Sequence, residues 1–209
     1  MIFIQLLLSD PAFYLIWVVL VVFSICCHEY AHALAAKWNG DNTAAINGHL
    51  TLNPFKQMGI TSLISLLLVG IGWGMVPVNN KNMRHKYSPS VVAFAGPLMN
   101  IILFFIFAFV AALVFSKNGN NQAGPLLQFF MVGSVLNAVL FVFNLIPVPP
   151  LDGWTIISIL HPKIHMINQE LRNGIMVGIF IIVLLYFNVI FKIGDYLTIH
   201  TVNIFLTFL

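Results

Sequence analysis

Four stretches of this chain, 11–37, 88–116, 125–147 and 174–192, are apolar and nearly free of charge. Each approaches or exceeds the run of about 20 residues that a helix needs to cross a hydrocarbon core of roughly 30 Å. Only 7% of the residues are charged and 60% are hydrophobic, with a mean hydropathy of +0.96. A soluble domain usually carries about 25% charged residues, so most of this surface cannot face water. The expected fold is an all-α polytopic membrane protein with about 4–6 transmembrane helices. The formal charge of +3 is too small to argue for nucleic acid as a partner. The tail 195–209 is apolar but short, which suits a half-span or an interfacial helix.

The segment 58–78 is different. It is apolar from Ile60 to Val69 and then broken by Gly70, Gly72, Gly74 and Pro77. So short a helix suits a re-entrant element better than a span, and residues 73–78 read as an extended strand. Non-helical backbone at membrane depth survives only where it is buried in protein or lines a cavity. Such a strand can offer its backbone to an extended peptide.

Charge placement separates the two topologies. If 58–77 turns back, Lys37, Lys56, Lys81, Arg84, Lys86, Lys163 and Arg172 share one side, leaving Lys117 and Lys192 opposite, seven against two. If it spans, the split is four against five. The excess of Lys and Arg on cytoplasmic sides favours the first arrangement.

Residues 1–209 read as a single integral membrane domain, with a core at about 11–160 and C-terminal helices at about 170–209. The N-terminus has no basic region or small-residue cleavage site, so the first apolar segment reads as a retained helix. Cys26 and Cys27 are adjacent in an apolar run and read as packing residues.

Within the first apolar stretch lies His28-Glu29-Tyr30-Ala31-His32. Residues four apart on a helix differ by about 40° in direction, so both imidazoles point the same way one turn apart. That suits two ligands of a tetrahedral zinc. Glu29 can reach an attacking water without ligating the metal, as a general base would. Three ionisable groups inside a transmembrane helix are costly and usually functional. A catalytic zinc takes about three protein ligands, and the chain has only six acids. Asp152 stands out among them, at the end of Asn144-Leu-Ile-Pro-Val-Pro-Pro-Leu-Asp-Gly153. The prolines there stop the helix and are expected to form a stiff extended segment holding Asp152. His49, His85, His161, His165 and His200 read as solvated or interfacial.

Taken together, these motifs resemble the site-2 protease family of intramembrane zinc metalloproteases, in its minimal stand-alone form without PDZ or CBS domain. The likeness covers roughly 20–160 and extends to Leu50-Thr-Leu-Asn-Pro54, Gly72-Trp-Gly-Met-Val-Pro-Val78 and Phe94-Ala-Gly-Pro-Leu-Met-Asn100. It implies one zinc ion bound by His28, His32 and Asp152, with Glu29 as the catalytic base. It suggests that Asn144 contacts the substrate or the developing oxyanion, and that Gly96, Pro97 and Asn100 pack the middle helix against the site. The implied activity is hydrolysis of peptide bonds within or near transmembrane segments of membrane proteins. The implied partners are such a segment and the lipid bilayer. The implied location is the bacterial plasma membrane, multi-pass, with the site near the cytoplasmic face. The Gly-Arg that usually follows Leu-Asp-Gly in the family is Trp154-Thr155 here, which alters local packing or access. Two other readings are a metal or ion transporter and a catalytically silent membrane scaffold. Zinc flux without proteolysis would mark the first; an intact His28-to-His32 motif with Asp152 speaks against the second.

Overall fold

The computed structural model describes residues 3–118, 124–160 and 168–209. Among these residues the regular elements are all helical and none is a strand. In chain order they are α1 (Leu6–Ser9), α2 (Pro11–Trp38), α3 (Thr43–Ile46), α4 (Pro54–Gln57), α5 (Gly59–Val69), α6 (Ser88–Asn118), α7 (Pro125–Asn144), α8 (Asp152–Leu160), α9 (Gln169–Leu185) and α10 (Phe187–Leu206).

The start of α2 is set by Asp10, whose side chain accepts the Phe13 N–H at 3.0 Å, and by Pro11 in the first turn. A proline there forfeits no helical bond. Beyond its end, Gly40 takes φ +101°, a left-handed value that glycine adopts without a steric penalty. The core lies between α2, α6 and α7, where Leu20, Val21, Ile25, Leu103, Phe107 and Leu136 are buried together. Lipid tails are as apolar as leucine, so such helices associate through close packing and buried polar contacts rather than through escape from water. Gly133 shows the packing: a Cβ there would lie 2.7 Å from the Phe107 ring.

Among the described residues, four helices are long and apolar enough to cross a membrane: Pro11–Trp38, Ser88–Lys117, Pro125–Asn144 and Asn188–Leu206. The first three coincide with the sequence expectation. The fourth does not, since the expected span at 174–192 is divided by the break between α9 and α10 at Tyr186. Nor is the tail a half-span, because 195–206 belongs to α10. The anchoring stripe explains the shift. Gly194, Thr198 and Val202 recur every four residues and pack inward. Gly194 faces Val135 and Val139, the Thr198 hydroxyl donates to Ser134 Oγ at 3.2 Å, and Val202 joins Ala108, Ala111 and Ala112. Lys192 and Asp195 sit on the exposed side, so a search for charge-free runs overlooks this helix.

The segment after α4 goes in and comes back. Gln57 is held beside the loop that follows α2, donating to the carbonyls of His49 and Thr51 at 2.8 and 2.6 Å. At the far end of α5, Leu67 O accepts the Tyr14 hydroxyl and Gly70 O accepts the Trp17 indole N–H. The chain then returns without helix or ladder. Trp73 exchanges two hydrogen bonds with the Ser62 hydroxyl, and the Met75 N–H reaches Gln57 O at 2.9 Å. Asn79 arrives at Asp41, back at the Trp38 end of α2. The return limb therefore pairs with no strand, because side chains and single carbonyls hold it instead.

Asp41 fixes that end point. Burial alone would raise its carboxyl, but it accepts from the Thr43 hydroxyl and N–H, the Asn79 N–H and the Asn82 amide. These donors hold it below the usual carboxylate range. The chain thus enters and leaves the re-entrant segment on one side. Single cysteines replacing Lys56 and Lys81 should be labelled by an impermeant maleimide from the same face of sealed vesicles. Labelling from opposite faces would mean that the segment spans.

Candidate metal centre

His28 and His32 lie on the same face of α2, and Asp152 opens α8. The turn between α7 and α8 brings the two helices together. Residues 145–150 were expected to form an extended arm, and the structure instead folds them into successive turns. The Val148 N–H donates to Ile146 O, the Leu151 N–H donates to Val148 O, each at 2.8 Å, and the Pro149–Pro150 bond is cis. Gly153 sits so tightly under this turn that a Cβ would strike the Leu145 and Ile146 carbonyls.

The three side chains converge. His28 Nε2 is 2.9 Å from His32 Nε2. Asp152 Oδ2 is 3.1 Å from His28 Nε2, and Oδ1 is 3.3 Å from His32 Nε2. The outer nitrogens are engaged elsewhere, His32 Nδ1 with Val92 O at 2.7 Å and His28 Nδ1 with Asn100 Oδ1 at 2.6 Å. A carbonyl only accepts, so His32 carries its proton on Nδ1 and presents a bare lone pair at Nε2. Pro97, inside α6, cannot donate to the Ala93 carbonyl and opens the ladder at this level. The neighbouring Val92 carbonyl is the one that takes the His32 proton.

These residues fit a cation. His28, His32 and Asp152 offer three ligand atoms within 4.8 Å of one another. Asp152 Oδ2 is buried without a hydrogen-bond donor. Unpaired acceptors of this kind are costly in a dry interior. Gly96 supplies the space: a Cβ there would overlap His32 Nε2 and lie 2.5 Å from His28 Nε2. Zinc binds imidazole nitrogen at about 2.0–2.1 Å, so that phantom atom stands close to where an ion would bind.

Glu29 is buried beside this group, directly against Gly74, where a Cβ would overlap its carboxyl. Asn144 lines the same cavity of about 580 Å³, with residues 72–76 of the return limb along one wall and Thr155 on another. Its amide donates back to the Leu140 carbonyl at 2.9 Å. All five residues singled out in the sequence thus border one cavity. Sequence reasoning missed the tight seat of Gly74 on Glu29, and also Asn137 and Ser24, which are fully buried behind Asn100. Polar side chains in mid-membrane stretches are the signal that could have found the latter two. Among the other histidines, His85 is exposed, His200 is exposed within α10 and His49 is half-buried against Gln57. His161, His165 and Lys163 lie outside the described residues.

Two histidines and an aspartate that could hold a metal, beside a buried glutamate and among helices long enough to cross a membrane, fit the class of membrane zinc metalloproteases. The chain belongs to peptidase family M50, whose family model matches residues 16–186. It is 41% identical over 150 residues to YwhC of Bacillus subtilis, named as a candidate zinc metalloprotease, a match covering 69% of this chain and 68% of that one. Rip2 of Mycolicibacterium smegmatis, named likewise, is 34% identical over 145 residues. Rip2 of Mycobacterium tuberculosis is 31% identical over 139 residues. The chain spans 51% of the Rip2 length in each case. No solved structure matches. The protein is thus a zinc metalloprotease and a multi-pass integral membrane protein.

The role of Gly96 can be tested by filling its space. Gly96→Ala should weaken zinc binding by more than the roughly 10–100-fold that loss of an outer-shell contact typically costs, while the detergent-solubilised protein keeps its helical circular dichroism. Wild-type zinc content in this variant would show that the ion binds elsewhere.

Proposed function

We propose that the protein hydrolyses peptide bonds within or near transmembrane segments of membrane proteins, using a single zinc ion held by His28, His32 and Asp152. The observation that carries this reading is the meeting of two buried histidines and the half-buried Asp152 beside Glu29, the histidines and Glu29 lying on a helix long enough to cross a membrane. A zinc ion held by His28, His32 and Asp152 would supply Lewis acidity to a carbonyl and to a water at this cavity. Glu29 takes the proton of the attacking water and delivers it to the leaving amine. Its seat against Gly74 keeps the carboxyl at the cavity wall formed by the return limb.

A helical substrate hides its carbonyls in its own hydrogen bonds, so it must unwind before it is cut. The return limb at 73–78 offers backbone not used in any ladder, and an extended substrate pairs alongside it. Asn144, which lines the same cavity, orients the substrate or steadies the developing oxyanion. Positive residues gather at the end of α2 nearest the site: Lys37 lies in its last turn, Lys56 is on α4, which packs on α2, and the Arg84 N–H donates to Asn39 O just past α2. That clustering supports a cytoplasmic placement of this end, in the plasma membrane of a bacterial cell.

The test is cleavage of a single-span substrate reconstituted with the protein in liposomes. Glu29→Gln should lower the rate by about 10²–10⁴-fold or more, as expected on removing a general base, while still binding zinc. His28→Ala should lose both zinc and activity. Undiminished cleavage by Glu29→Gln would overturn the assignment of the base.

A further inference from the structure

His32 and His28 are oriented by different kinds of partner. The Nδ1 of His32 meets a backbone carbonyl, which can only accept. The Nδ1 of His28 meets the side-chain amide of Asn100, which could present either its oxygen or its NH₂ group. The choice matters. An amide oxygen keeps the proton on Nδ1 and leaves Nε2 bare for a metal. An NH₂ group would demand a lone pair at Nδ1 and push the proton onto Nε2, where a ligand atom is needed.

The structure contains a device that settles this choice. Asn100 Nδ2 donates to Asn137 Oδ1 at 3.0 Å. Asn137 Nδ2 donates in turn to the Gly133 carbonyl and to Ser24 Oγ, both at 2.9 Å. The Gly133 carbonyl cannot donate, so Asn137 must turn its NH₂ toward it and its oxygen toward Asn100. Asn100 must then offer NH₂ to Asn137 and oxygen to His28. Asn100, Asn137 and Ser24 are all at 0% exposure, so no water can substitute for a member or reverse the chain.

We propose that Asn137 is a positioning residue for the metal site: acting through Asn100, it carries the fixed polarity of the Gly133 carbonyl to His28 and so holds the Nε2 lone pair toward the ion. The role rests on the metal reading of His28 and is distinct from it. Asn137 touches neither ion nor substrate.

The experiment is zinc affinity, measured by chelator competition on the purified full chain in detergent. Asn137→Leu and Asn137→Ala are taken in parallel, one filling the space and one leaving it, so that a shared defect reports the lost amide. Each should weaken zinc about tenfold, the lower end of outer-shell effects. Both are then repeated in an Asn100→Asp background. There both side-chain oxygens accept, no orientation needs setting, and the substitutions at Asn137 should cost nothing further. An equal loss in both backgrounds would mean that Asn137 acts only by packing, and no loss in either would mean that it does not act at all. Both results overturn the inference. A wild-type protein that binds no zinc would instead remove the metal reading itself.

Discussion

Two imidazole nitrogens 2.9 Å apart, with a carboxylate 3.1 and 3.3 Å from them, form a site that wants positive charge. Each atom turned inward is an acceptor, and the outward sides of both rings are already engaged. With His28 and His32 buried and Asp152 half-buried, a cation is the species that relieves such a cluster. Much of the rest of the fold serves this small volume. Gly96 lets α6 approach without filling it, Gly74 lets the return limb touch Glu29, and Gly153 lets the turn after α7 close tightly enough to deliver Asp152.

The membrane setting explains how polar groups are distributed. Among the described residues, several buried polar side chains away from the site are tied to one another or to backbone carbonyls: Asn100 to Asn137, Asn137 to Ser24, Ser62 to Trp73, Ser134 to Phe104 and Thr198 to Ser134. These contacts join helices where hydrophobic association is weak. One chain of them ends on a metal-ligating histidine, so the core that holds the helices together also orients the site.

Much of this was legible in the sequence, for reasons that can be named. Three long spans follow from charge-free runs, and the His28-to-His32 pair follows from helix geometry. Asp152 stood out as one of only six acids, placed at a proline-rich helix stop, and the family likeness gave it the ligand's role; its contact with residues 120 or more away leaves no periodicity to read. Where expectations failed, the reasons are physical. The fourth span was misplaced because Lys192 and Asp195 lie on the outer face of a helix whose inner stripe is Gly194, Thr198 and Val202. The Pro147–Pro150 stretch turns rather than extends, since Val148 and Leu151 still carry N–H groups that close turns. Asp41 read as one acid among six, and only the folded chain makes it the anchor of the returning limb.

X-ray absorption at the zinc edge of the purified, metal-loaded protein tests the central claim most directly. The account predicts a first shell of nitrogen and oxygen only, at about 2.0–2.1 Å, with the multiple-scattering signature of two imidazoles. A sulfur shell at about 2.3 Å would place the metal on Cys26 or Cys27, and an oxygen-only shell would place it away from both histidines; either would contradict the site described above.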